Sequence, residues 1–279
     1  MKKIAITLDD FPNTDQHYFS PKERISRILT HLESHQVGQA AFFTVTERFS
    51  DETTPLLNMI GDKGHVVGNH THSHPNLIKS DGQTFLKDVQ KADEILNQYS
   101  GFKRWFRYPY LNEGRNDEDT QLVRQGLAEM DYVNFHTTIP TLDFFMDKIF
   151  QERISHNDSV DLDKLRQLYV DLIMENVELY HKLSTTVLSV EMPHVLLLHE
   201  TDLNALFLGD LLAALKELGW QIVNAEEIME DPYFNYQPDT GPLIMGKITA
   251  MIKEKFNRVP MPDVLEKDHV LQRWKEVLD

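Results

Sequence analysis

Short apolar runs alternate along this chain with longer stretches in which apolar positions recur every three or four residues. KIAITL (residues 3–8), QAAFFTVT (39–46), HVVGNH (65–70), RWFRYPY (104–110) and DYVNFHTTI (131–139) read as strands, as do HVLLLHE (194–200) and QIVNAEEI (221–228). Between them lie helical patterns. PKERISRILTHLESHQ (21–36) places Ile25, Ile28, Leu29 and Leu32 on one stripe, and FLKDVQKADEILNQYSG (85–101) does the same with Phe85, Val89, Ala92, Ile95 and Leu96. Further helices are expected at 54–64, 120–130, 161–183 and 208–220. Such alternation predicts an α/β fold on a parallel sheet, closed as a barrel or left open. Residues 230–241 read as a linker, and 242–256 and 270–278 as terminal helices docking on the main domain.

Composition narrows the function. Hydrophobic residues make up 41% of the 279, enough for a sizeable core in one large domain or in one domain with an appendage. A formal charge of -16, with no basic run to reverse it locally, argues against nucleic acid and against anionic membrane surfaces. Cysteine is absent, so any bound metal must be held by nitrogen and oxygen. The opening MKKIAITLDDFP leads two lysines into an apolar run that Asp9 and Asp10 interrupt, too short for a signal-peptide core or a membrane span. As written, the chain is expected to be cytoplasmic.

The candidate chemistry lies at strand ends. Asp9 and Asp10, the cluster His70, His72 and His74, Arg107, and His199 each follow or close a predicted strand. In a parallel α/β barrel those ends share one face, where active sites are built. His70 and His74, four positions apart, can present both imidazoles to one side, with His72 pointing elsewhere. Two imidazoles and a carboxylate hold a divalent ion and leave positions open for water and substrate. Asp9 and Asp10 face opposite ways in an extended chain, so one can ligate while the other, displaced by a bend, reaches a bound water. His65, His136 and His194 sit inside strand-like runs and read as structural, Trp105 and Trp220 as packing residues.

TLDD, HTHSH, RYPY and LLLH occur in an order and spacing similar to those of the polysaccharide deacetylases, carbohydrate esterase family four, whose core is the NodB homology domain. The resemblance covers residues 3 to about 228. It implies a distorted (β/α) barrel that removes N- or O-acetyl groups with a divalent metal: Zn2+ first, with Co2+, Ni2+ or Mn2+ as alternatives. By the same resemblance Asp9 is the general base, and Asp10, His70 and His74 are the metal ligands. Arg107 orients the base, and the backbone at Tyr110 serves the developing oxyanion. His199 is the general acid, Asp143 the carboxylate that keeps it protonated, and Leu197 the apolar wall beside the acetyl methyl.

Some positions depart from the family pattern. TFDDGP is TLDDFP here, which places the Phe11 ring near the site mouth. DxxDW survives only as PTLDF, with Pro140 and Phe144 replacing an acid and a tryptophan. A catalytic domain over 1–228 is expected, with a helix-rich insertion at about 145–190 that caps the site or forms a contact between copies of the chain, and a C-terminal extension over 229–279 whose helices are the alternative surface for a homo-oligomer. Deacetylation of an N-acetylated sugar or saccharide is the first functional expectation. Hydrolysis of a small acylated, formylated or cyclic amide, with Phe11 and Phe144 narrowing the groove, is the second. A non-catalytic saccharide-binding protein retaining the fold is the third.

Overall fold

The computed structural model describes residues 2–238, 245–258 and 263–278. Strands β1 (Lys3–Phe11), β2 (Ala41–Thr44), β3 (Val66–Asn69), β4 (Phe102–Phe106), β5 (Val133–Asn134), β6 (His194–His199) and β7 (Gln221–Ile222) form one sheet. Its order is β5-β4-β3-β2-β1-β6, with β7 also pairing β1, and every ladder is parallel. Between β5 and β6 the gap is bridged by the segment after β5: Ile139 pairs with Leu196, and its N–H donates to the Val195 carbonyl at 3.0 Å. The sheet therefore curls into a distorted barrel.

Helices α1 (Pro21–Ser34), α2 (Thr54–Asp62), α3 (Gly82–Leu96) and α4 (Asp117–Glu129) follow the first four strands. α5 (Asp143–Ser155) and α6 (Leu162–Lys182) precede β6, and α7 (Asp202–Glu217) follows it. Short turns α8 (Ala225–Ile228) and α9 (Pro232–Asn235) lead to α10 (Lys247–Phe256) and α11 (Lys267–Leu278). β1 is buried along nearly its whole length, as a strand covered on both faces must be. Its side chains alternate between two cores. Ile4, Ile6 and Leu8 face the helices, where they meet Ile25, Ile28 and Leu29. Ala5 faces the barrel interior with Ala41, Phe43, Trp105, Phe135 and Val195.

Several boundaries differ from the pattern in the sequence. The strand expected at 131–139 pairs β4 only at Val133–Asn134, because the chain then swings across to β6. RYPY leaves the sheet after Phe106 and turns through left-handed backbone at Tyr110 and Leu111. QIVNAEEI is a strand only at Gln221–Ile222; Asn224 and Glu227 form a capping box that starts α8 instead. α7 begins at Asp202, not 208, since the Thr201 hydroxyl caps the Asn204 N–H. The insertion at 145–190 is no lid. α6 buries Leu165, Leu168, Leu172 and Ile173 in the helix-facing core, and only the first turn of α5 reaches the site. Residues 229–279 share the cores of 1–228: Phe234, in the expected linker, enters the barrel end beside Phe135, and Val270 and Trp274 of α11 join the outer core. Positions 239–241 of that linker and 242–244 of the helix expected after it lie outside the described residues.

One glycine shows how tightly the interior is filled. A Cβ on Gly68 of β3 would lie 2.7 Å from the Phe43 ring and 3.1 Å from the Trp105 carbonyl oxygen. Gly68→Ala is therefore expected to lower unfolding stability by about 1–3 kcal/mol, read from the urea midpoint at unchanged slope.

Candidate metal-dependent active site

Asp9 sits on the interior side of β1, two residues beyond Thr7, and is 2% exposed. Asp10 would point the other way in a regular strand. Instead β1 carries one extra residue here: Leu8 pairs Phe42 but Phe11 pairs Thr44, and Asp10 takes a positive φ of 69°. This bulge turns both carboxylates toward one cavity. Past it, alternation returns Phe11 to the helix-facing core, where it is 1% exposed, so the expected ring at the site mouth is absent.

The histidines come from the loop after β3. Asn69 Oδ1 accepts the Thr71 N–H at 2.7 Å, and Thr71 Oγ1 accepts the His74 N–H at 3.0 Å. Positive φ at Thr71 (73°) and His74 (56°) completes a tight turn that sets the His70 and His74 rings edge to face, 4.9 Å apart. Asp88 accepts the backbone N–H groups of His72 and Ser73, while the His72 ring turns away onto Thr46 Oγ1 at 2.8 Å. His70 Nδ1 lies 2.7 Å from the Arg107 carbonyl. A carbonyl can only accept, so Nδ1 carries the proton and Nε2 offers its lone pair.

Asp10 Oδ1 lies 3.2 Å from His74 Nε2 and 3.8 Å from His70 Nε2. One ligand atom from each of the three residues falls within 4.8 Å of the other two. Burial, its largest cause, holds both histidines below the usual imidazole range and hence neutral near pH 7. Asp10 Oδ1 is buried without a hydrogen-bond partner. A carboxylate oxygen and two neutral imidazoles thus converge, a donor set that a divalent cation satisfies. The residues fit a metal.

Arg107 stands behind Asp9. Its NH1 lies 3.3 Å from both Asp9 oxygens, Nε donates to the Phe135 carbonyl at 2.7 Å, and the guanidinium lies over the Phe43 ring at 4.5 Å. Burial raises the Asp9 pKa and outweighs the opposing charges of Arg107 and His199, leaving it at about 6. Across the ladder, Asp9 pairs in register with His199. Asp143 opens α5, fully buried. Its Oδ1 accepts from His199 Nδ1 at 2.7 Å and its Oδ2 accepts the His199 backbone N–H at 2.7 Å. Burial alone would lower the His199 pKa, but Asp143, joined by Asp10 and Asp9, raises it to about 9.

These groups line a cavity of about 280 Å³. Asp9, Asp10, His70, His74 and His199 form its polar floor; Tyr110, Leu197 and Phe144 stand in its walls. The Tyr110 ring lies 4.6 Å from that of His74, and Phe144 packs edge-on to His199 at 5.1 Å. Arg107 and Asp143 act from behind the surface, and His65, His136 and His194 do not line the cavity. Sequence reasoning missed Thr141 and Asn204, which donate to Asp143 at 3.0 and 2.9 Å, and the cavity residues Met245 and Leu265. Only Thr141, two positions before Asp143, carries a local signal; the others meet the site through the fold alone.

The sequence pattern of the family described as "Polysaccharide deacetylase" matches residues 1–133. The peptidoglycan-N-acetylglucosamine deacetylase of Bacillus cereus is 37% identical over 109 residues, 39% of this chain and 36% of that protein. The chain spans between 26% and 47% of the first curated relatives it matches. Among solved structures, a family 4 acetyl xylan esterase from Clostridium thermocellum in complex with a cobalt ion superposes with a TM-score of 0.56 at 18% identity, covering 82% of this chain and 91% of that one. A CE4 family pseudoenzyme from Bacillus anthracis superposes with a TM-score of 0.54 at 21% identity, covering 82% and 65%. The curled parallel sheet, the strand-end carboxylates and the Asp-His-His cluster agree with this likeness to the polysaccharide deacetylases, which in sequence covers residues 1–133.

Proposed function

We propose that the protein is a divalent-metal-dependent hydrolase that removes acetyl groups from an N-acetylated saccharide. One observation carries this reading: the buried Asp9 carboxylate and the His199 imidazole flank the cluster of Asp10, His70 and His74 ligand atoms inside one cavity. Asp10, His70 and His74 would hold the ion, with zinc first and cobalt, the ion in the acetyl xylan esterase complex, among the alternatives. When bound there, a divalent cation polarises an acyl carbonyl and lowers the pKa of water from about 15.7 toward neutrality.

The chain's own residues supply the proton transfers. Asp9, held by Arg107, takes the proton of the attacking water. His199, kept protonated by Asp143, delivers a proton to the departing nitrogen, which is a poor leaving group otherwise. The backbone at Tyr110 is assigned to the developing oxyanion, and Leu197 to the acetyl methyl. The family also contains the pseudoenzyme named above. Against a non-catalytic role here stands the joint presence of base, ligands, arginine and acid at one cavity.

These assignments separate experimentally. His70→Ala and His74→Ala should lose bound metal, read by elemental analysis after dialysis, whereas His72→Ala, whose ring bonds Thr46, should retain it. Equal loss in all three would reject the ligand set. Asp9→Asn should keep the metal while acetate release from acetylated chito-oligomers falls at least about a hundredfold; unchanged turnover would remove Asp9 from the mechanism. An acid works in its protonated form, so the rate should fall as pH rises through about 9, the His199 value. Asp143→Asn removes the charge that raises it and should move that alkaline limb to lower pH.

A further inference from the structure

Above its polar floor the cavity is largely apolar, and part of the wall comes from the far end of the chain. Met245 and Leu265 stand there with Pro140, Leu142 and Phe144. Among the described residues, no charged side chain and no amide lines the walls above the floor. Hydroxyl-bearing side chains among the lining residues are Tyr108, Tyr110 and Thr141, and the hydroxyl of Thr141 is already engaged, by Asp143 Oδ1 at 3.0 Å and the Leu197 carbonyl at 2.8 Å. A sugar ring entering such walls gives up hydrogen bonds to water that few wall groups replace. An apolar group gains from the same move. The volume, about 280 Å³, lies at the small end of ligand cavities, which run to about 1,000 Å³.

Met245 is held in place by its neighbours. The Lys247 N–H donates to the Thr137 carbonyl at 2.8 Å, and its buried Nζ donates to the Phe234 carbonyl at 2.5 Å. Gly246, at φ +87°, passes so close that a Cβ would lie 2.8 Å from the Thr137 oxygen. Ile248, Met251 and Ile252 then bury one side of α10. Thr137 begins the segment that supplies Pro140 and Leu142, so the two parts of the wall brace each other.

We propose that Met245 and Leu265 are specificity determinants that favour a compact N-acetylated substrate bearing an apolar group beside the reacting amide over the interior of a polysaccharide chain. The inference rests on the deacetylase reading above, and the reaction is the same: water adds across the acetyl carbon–nitrogen bond to give acetate and the free amine. The test compares acetate release by the zinc-loaded full chain from the phenyl β-glycoside of N-acetylglucosamine and from acetylchitohexaose. The phenyl glycoside is expected to have a kcat/KM at least about tenfold higher, and Met245→Ser and Leu265→Ser, on separate segments, should each cut that preference several-fold. Equal or faster hydrolysis of the hexamer, or an unchanged ratio in both folded variants, would overturn the proposal. Calorimetry on the Asp9→Asn protein gives a readout without turnover: it should bind the phenyl glycoside more tightly than the hexamer, and either serine substitution should weaken that binding by a similar factor. Absence of acetate from both compounds would overturn the deacetylase reading, and the calorimetric comparison would then decide on the wall by itself.

Discussion

Between Leu8 and Phe11, β1 takes three steps where its neighbour β2 takes two, and the site is organised by where that extra residue goes. A regular strand would send Asp9 into the barrel and Asp10 out among the helices, where a carboxylate has no compensation. The bulge brings Asp10 back beside His70 and His74, with Arg48 3.8 Å from the same carboxylate oxygen. Asp9 stays on the inward face, where Arg107 can reach it. Two adjacent acids thereby acquire different environments, one among imidazoles and one against a guanidinium. Phe11, restored to the outer face, fills the helix-facing core and anchors the strand just past the distortion.

The same geometry sets the charge balance. Arg107 and Asp9 are almost completely buried, and each would be costly alone; losing one partner of such a pair typically costs about 3–5 kcal/mol. Arg107 also accepts the His70 Nδ1 proton at its carbonyl and rests its guanidinium on Phe43. One residue thus fixes Asp9, the proposed base, through its side chain and a candidate metal ligand through its backbone. The pKa values of Asp9 and His199 lie on either side of neutrality because burial governs the first and Asp143 the second. That ordering suits a base that is ionised and an acid that is protonated at the same pH.

Most of this is written locally in the chain. Parallel strands announce themselves as apolar runs, and a polar residue just after such a run lies at the face where strand ends gather, which is how Asp9, His70, Arg107 and His199 are legible together. Legibility fails where a residue's direction depends on a neighbour. Phe11 follows the acids and looks like a mouth residue until the bulge is counted. The run at 131–139 has strand composition, yet it crosses to another strand at Ile139. Residues 221–228 look extended unless the Asn224–Glu227 capping pair is recognised. Met245 and Leu265 carry no periodic or motif signal at all. Their place at the cavity is set by α10 and by the contact of Lys247 with Thr137, more than a hundred positions away in sequence.

The separation of Asp9 and His199, the proposed base and acid, is held by backbone, not by loops. Asp9 and His199 are register partners on adjacent strands, so their spacing follows from the ladder itself, about 4.8 Å between strands. Beyond that pair the two chains remain tied: the Glu200 N–H donates to the Asp9 carbonyl at 2.9 Å, and the Glu200 carboxylate accepts the Asn13 N–H at 2.7 Å and Arg24 Nε at 2.5 Å. Asn204 ties the acid from the other side, donating to the His199 carbonyl and to Asp143 while Tyr169 holds its amide oxygen. If Asp9 and His199 act as the proposed base and acid, a pair fixed on two hydrogen-bonded strands loses little further entropy when a substrate arrives. Selectivity can then be set in the walls, by segments such as 140–144 and the C-terminal extension, without disturbing the distance across which the proton must be relayed.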